Sequence, residues 1–198
     1  MKNIFIALIL LATISSCNEN KTPEQKADSA KTVSIAKKDS IATQVQNKTA
    51  DQTVKDFLCW YNDNYEQVNK LQLIKNNPPS DTSKYYCVNF TATEQWLAMF
   101  KESGFVSDDF LTHWRTYFKK CEKDFQKDHV NDGPPSGFDY DFIFQSQDET
   151  PNDAQIQRAT FTENLNGDKS TIILNIPKYG PITKMLVKSA DGKWFLAE

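Results

Sequence analysis

The residues best suited to chemistry in this 198-residue chain are three carboxylates in one unusual stretch. Asp132, Asp139 and Asp141 lie within Asp132-Gly133-Pro134-Pro135-Ser136-Gly137-Phe138-Asp139-Tyr140-Asp141-Phe142, with Gln145 just beyond. Oxygen ligands of this kind suit a calcium-like cation or a polar ligand. The dense Asp-x-Asp-x-Asp-Gly spacing of an EF-hand loop is missing, however. A paired-carboxylate hydrolase would need one acid raised in pKa by burial beside another that stays ionised. Asp139-Tyr140-Asp141-Phe142 alternates acid with aromatic, so an extended backbone would put both carboxylates on one side and both rings on the other. The competing reading is a rigid crossover, stiffened by its prolines and bent at its glycines, whose rings plug the core while its acids face water.

Other reactive side chains are sparse. Besides Cys17 there are Cys59, Cys87 and Cys121, with no Cys-x-x-Cys pair, so thioredoxin-like chemistry is not expected. An odd number permits one intramolecular disulfide at most, and its connectivity stays open. The two histidines, His113 and His129, form no His-x-x-x-His or His-Glu-x-x-His pair, which disfavours a zinc hydrolase. No glycine-rich phosphate loop or serine elbow occurs. Tyr85, Tyr86, Trp96, Trp114, Tyr140 and Trp194 could line a pocket, although aromatics at helical and strand spacing first read as core. The candidate ligand-binding set is therefore Asp132, Asp139, Asp141, Tyr85, Trp114 and Gln145, and no cofactor or metal is expected.

The amino-terminal residues are more specific. Lys2 precedes an apolar run from Ile4 to Ile14, followed by Ile14-Ser15-Ser16-Cys17. The run falls short of the about 20 residues that cross a bilayer, and the whole resembles a bacterial lipoprotein signal peptide. That resemblance implies cleavage before Cys17, a thioether-linked diacylglyceryl group there and an acylated amino terminus. Several chains hold far better than one, each buried methylene adding about 0.8 kcal/mol. Residues 1–16 are thus read as signal peptide. Residues 17–52, rich in Lys, Ser, Thr, Ala, Gln and Asn with no aromatic, are read as lipidated cysteine and flexible tether. The formal charge is −3 for the whole chain. Losing Lys2 makes the mature chain −4, which argues against nucleic acid as partner.

Residues 53–198 are long enough for one domain with a real core. Val54, Phe57, Leu58, Tyr61, Tyr65, Val68 and Leu71 recur at helical spacing, with Thr53 and Asp56 as a capping pair and Asn76-Asn77-Pro78-Pro79 as the stop. Tyr85 to Phe90 reads as extended. Thr91 and Glu94 fit a capping box for a helix through Trp96, Met99 and Phe100, closed by Gly104. Ser107 with Asp108 and Asp109 opens a third helix burying Phe110, Leu111, Trp114, Phe118, Cys121 and Phe125. Strands are expected over Gln155–Thr162, Thr171–Ile176, Ile182–Ser189 and Trp194–Leu196, with Asn166-Gly167 and Tyr179-Gly180-Pro181 as turns. Short turns between consecutive strands require antiparallel neighbours, so the expected class is α+β, with N-terminal helices on one face of a curved antiparallel sheet.

From about Tyr85 onward the chain resembles the Bacteroidetes lipoproteins that carry domain of unknown function 3828 (DUF3828). The matching features are Ser107-Asp108-Asp109-Phe110-Leu111, Lys119-Lys120-Cys121, Asp132-Gly133-Pro134-Pro135 with Gly137, Gln147-Asp148 and Asp191-Gly192-Lys193-Trp194. The resemblance implies an NTF2-like or cystatin-like α+β fold and a place in the cell envelope. It implies no reaction, since that superfold hosts enzymes, binders and scaffolds alike. The expected role is a lipid-anchored envelope protein, on the outer membrane facing the periplasm, that binds a small ligand or another envelope protein without catalysis. The alternatives are an envelope hydrolase using Asp139 or Asp141 with His113, and an inhibitory or structural interaction module.

Overall fold

Helix α1 (Ala50–Asp63) begins three residues before the expected domain boundary at Thr53, with Ala50 already buried. The structure is a computed structural model and describes residues 48–76, 85–133, 135–147 and 149–198, all within one compact unit. The expected signal peptide, Cys17, the tether as far as residue 47, the Pro78-Pro79 stop, Pro134 and Asp148 lie outside them. Thr53 and Asp56 do not cap α1. The Thr53 hydroxyl donates back to the Thr49 carbonyl at 3.0 Å, while Asp56 accepts from Gln52 at 2.7 Å and pairs with Lys48. Val54, Phe57, Leu58 and Tyr61 are buried as their spacing requires. The single long helix expected as far as Leu71 is instead interrupted at Asn64, whose amide donates to the Trp60 carbonyl at 2.8 Å. Local side-chain bonding of this kind competes with helix propagation. A short α2 (Tyr65–Asn69) follows.

A two-stranded antiparallel sheet, β1 (Ile74–Asn76) with β2 (Tyr86–Val88), precedes α3 (Phe90–Ser103). Asn89, rather than a Thr91–Glu94 box, caps α3 by accepting from the Ala92 N–H at 3.4 Å. Glu94 instead reaches Arg115 on the next helix with two contacts of 2.8 Å. Gly104 ends α3 at φ 74°, the left-handed geometry in which glycine carries no Cβ penalty. Helix α4 (Asp108–Lys127) is capped by Ser107 and buries the expected stripe of Phe110, Leu111, Trp114, Phe118, Cys121 and Phe125.

The crossover after α4 is compact rather than extended. Gly137, at φ 87°, sits where a Cβ would come within 2.7 Å of the Tyr117 hydroxyl, and its carbonyl accepts that hydroxyl at 2.7 Å. Phe138, Tyr140 and Phe142 turn towards α4, with Phe142 packed 5.2 Å from Trp114 and 6.0 Å from Phe118 between ring centroids. The strand expected from Gln155 is displaced by a short helix, α5 (Asp153–Gln157). Asn152 and Gln155 form a reciprocal capping box at 3.1 and 2.9 Å, and such a box outweighs a weak strand pattern over five residues.

Strands β3 (Thr160–Asn166), β4 (Lys169–Asn175), β5 (Pro181–Lys188) and β6 (Trp194–Leu196) form an antiparallel meander in sequence order. The alternation is strict on β4 and β5: Ser170, Ile172 and Leu174, then Ile182, Lys184 and Leu186, are buried. Ile172, Leu174, Ile182 and Leu186 join the aromatic residues of α1, α3 and α4 in one core. The class is therefore α+β, with helices against one face of an antiparallel sheet. Among the described residues no helix is long and apolar enough to cross a membrane.

Candidate functional site

Asp141 organises its loop. Its Oδ1 accepts the backbone N–H groups of Ile143 at 2.8 Å and Phe144 at 2.7 Å, an Asx turn of the kind a short carboxylate makes two or three residues ahead. Its Oδ2 accepts the Tyr61 hydroxyl at 2.7 Å, and the Asn69 amide donates to the same hydroxyl at 3.1 Å. Burial, reinforced by the nearby Asp141 carboxylate, pushes the Tyr61 phenol well above its ordinary value. Tyr61 is thus a hydrogen-bond donor tying the loop to α1. The main chain closes around the same turn: Asp141 N–H donates to Ser146 at 2.8 Å, and Gln145 N–H to the Asp141 carbonyl at 2.7 Å. The closure drives Gln145 to φ 56°.

That turn walls a cleft of about 500 Å³, lined by Phe144, Gln145, Glu149, Lys178, Tyr179 and Ile182 among others. The facing wall is the β4–β5 turn, where Lys178 has φ 74°. Gln145 and Lys178 are the two positive-φ residues other than glycine among those described, and both line this cleft. Left-handed backbone at a non-glycine residue costs about 1–3 kcal/mol and concentrates at functional sites. A third wall is pinned to α1 and to the turn: Asn62 donates to the Pro151 carbonyl at 2.9 Å, and the Tyr179 hydroxyl to the Thr150 carbonyl at 3.3 Å. The cleft's size falls within the few hundred to about 1,000 Å³ typical of small-molecule sites.

Two positions along the same strand face from Ile182, which lines the cleft, lies Lys184, with 2 % of its surface exposed. Among the described residues no carboxylate lies within 4.0 Å of its ammonium. Desolvation lowers its pKa to about 8, opposed by the fields of Asp141 and Glu198. A lysine taken from water without a close counter-ion is expensive. Tyr61, Asp141 and Lys184 therefore form a polar seam within the core, Lys184 being linked to the other two through the field of Asp141.

The sequence-derived candidates fare unequally. Gln145 lines the cleft, and Asp141 shapes it from behind. Asp139 is exposed and accepts from Gln147 at 3.1 Å; Asp132 is exposed too. The expected extended alternation of Asp139 with Asp141 is overturned, because the Asx turn curls the chain at Asp141. Among the described residues no group of three His, Cys, Asp or Glu could hold a metal ion, so the three acids do not assemble a cation site. Tyr85 stacks on His129 with centroids 3.8 Å apart. Trp114 is core, 5.3 Å from Trp96, and its buried indole N–H has no hydrogen-bond partner among the described residues.

His113 approaches Glu198 at 3.9 Å, in a second cleft of about 540 Å³ between the start of α4 and the end of the β3–β4 hairpin. That cleft has ordinary backbone around it and a loose ion pair, so the strained cleft is the stronger candidate. With Asp141 bonded to Tyr61, Asp139 to Gln147 and His113 beside Glu198, the alternative hydrolase pairing of Asp139 or Asp141 with His113 makes no ion pair among the described residues. Cys59, Cys87 and Cys121 are free thiols, all pushed up in pKa chiefly by burial, which leaves none activated as a nucleophile.

Sequence reasoning missed Tyr61, Lys178 and Lys184 as site residues. Lys184 was readable: Ile182-x-Lys184-x-Leu186 puts a lysine at the inward position of an alternating strand. Nothing in the sequence marks the backbone geometry of Lys178. Compared with protein-family models, curated proteins and solved structures, the chain matches none of them.

Proposed function

We propose that this chain is a membrane-anchored lipoprotein of the bacterial cell envelope whose domain binds a small polar ligand, without catalysis, in the cleft between Gln145 and Lys178. The observation that carries the ligand site is the convergence of both strained residues on one cleft, held by Asp141. Its lining supplies an amide at Gln145, a cation at Lys178, a carboxylate at Glu149 and apolar surface from Phe144 and Ile182. That mixture orients a ligand of mixed polarity.

The anchor rests on Lys2, the apolar run from Ile4 to Ile14 and Ile14-Ser15-Ser16-Cys17. The DUF3828 kinship rests on the motifs given above, and helices against one face of an antiparallel meander support an NTF2-like or cystatin-like reading. In this reading the domain hangs on the outer membrane, facing the periplasm.

The test is amide NMR of the full chain in detergent, titrated with monosaccharides, amino acids and dicarboxylates. Shifts confined to Gln145, Ser146, Lys178 and Gly180 are expected with at least one class. They should weaken severalfold in Lys178→Ala while the melting temperature is kept. An absence of cleft shifts across the panel contradicts the ligand site. Mass spectrometry of the native amino-terminal peptide tests the anchor: a diacylglyceryl group on Cys17 is expected, and an unmodified thiol there contradicts it.

A further inference from the structure

The two edges of the four-stranded sheet are built differently. Along β6, Phe105–Ser107 seals the edge: Leu196 N–H donates to the Phe105 carbonyl at 2.9 Å, and Ser107 N–H to the Leu196 carbonyl at 2.8 Å. At the other edge stands β3, seven residues long, regular in register and exposed at every position. Ala197 N–H donates to the Met185 carbonyl at 2.7 Å, which fixes the hydrogen-bond phase of β5. Carried through the β5–β4 and β4–β3 registers, the alternation of bonded and non-bonded pairs points the backbone groups of Phe161, Glu163 and Leu165 away from β4. The edge thus offers three N–H donors and three carbonyl acceptors.

The side chains of those same three residues lie on the helix-facing side, opposite Leu174, Ile172 and Ser170. Phe161 is 43 % exposed and Leu165 59 % exposed. Glu163 stands between them, its carboxylate accepting the Ser170 hydroxyl at 2.7 Å, which holds it along the sheet. Lys55 lies 6.0 Å from the centre of the Phe161 ring, marking where α1 reaches this strand.

We propose that β3 receives an extended segment of a partner protein as a fifth, antiparallel strand, with a lysine or arginine opposite Glu163 and apolar residues opposite Phe161 and Leu165. Backbone bonds would supply the affinity and alternate side chains the specificity, as in other strand additions. Charge complementarity selects this occupant over a second copy of the chain. In the full antiparallel self-register Glu163 faces Glu163, and like charges directly opposite are unfavourable. An inward-pointing charge guards the edge against self-association, and the same charge favours a basic strand.

The experiment uses the full chain in detergent and two synthetic heptapeptides, Thr-Val-Thr-Lys-Thr-Val-Thr and its Glu-centred twin. The lysine peptide should shift the amides of Phe161, Glu163 and Leu165, slow their hydrogen exchange and bind at least tenfold tighter than its twin. Glu163→Lys should invert that preference, and the milder Glu163→Gln should abolish it. Equal binding of the two peptides overturns the proposal. So do shifts confined to the Gln145–Lys178 cleft, an absence of shifts at millimolar peptide, or sedimentation showing that β3 pairs with a second copy.

Discussion

Two parts of one core are held together on opposite terms. On one side Trp96, Trp114, Phe118 and Phe142 pack edge-to-face or tilted, with centroids 5.2 to 6.0 Å apart. There, burial itself is the stabilising term, and each ring adds packing beyond its area. On the other side Tyr61 and Asp141 are held by mutual and backbone hydrogen bonds, while Lys184 buries an ammonium that water would hold more cheaply. The aromatic side explains why the domain folds. Lys184 opposes folding, so its burial in the polar seam marks a place that folding alone does not require.

The contrast can be broken by substitution. Trp96→Ala should be the most damaging change, losing about 3–5 kcal/mol in chemical denaturation because a fully buried ring leaves a cavity. A smaller loss would mean that the aromatic side is loosely packed. Lys184→Met should act in the opposite direction, stabilising the domain by about 3 kcal/mol at pH 7 through relief of a pKa depression from 10.5 to about 8. Asp141→Asn keeps one acceptor for the Asx turn but loses the charge that Tyr61 contacts. It should cost about 2 kcal/mol and broaden the amide signals of Ile143 to Ser146. Arg115→Ala removes an exposed pair with Glu94 and should change stability by less than about 1 kcal/mol, least of all in high salt.

How legible each part was follows the same division. The α4 stripe was readable residue by residue, because a 3.6-residue apolar period and a Ser-Asp-Asp opening act locally. The hairpin at Asn166-Gly167 and the antiparallel order were readable for the same reason. The region from Asp139 to Gln157 was not. Asp141 bends its own backbone by accepting from Ile143 and Phe144, and Asn152 starts a helix where the residue pattern predicts a strand from Gln155. The break at Asn64 is likewise a side-chain competitor within a helical period. Of the candidate set, Gln145 and Asp141 gather at the cleft through a tertiary partner, Tyr61, that lies 80 residues upstream of Asp141 in the chain. Spacing along a sequence carries no trace of such a partner.

The most direct measurement of the polar seam is denaturation of the wild type and Lys184→Met in parallel from pH 7 to pH 10. The folded-state pKa of Lys184, about 8, lies below its ordinary value of 10.5. Between those values the unfolded chain holds the extra proton, so wild-type stability gains as pH rises. Buried Tyr61 and the thiols titrate with the opposite sign at higher pH, but they are common to both proteins and cancel in the difference. A desolvated Lys184 requires a variant that is more stable at pH 7 and an advantage that shrinks steadily towards pH 10. A variant that is less stable at pH 7, or a gap that does not move with pH, would contradict it.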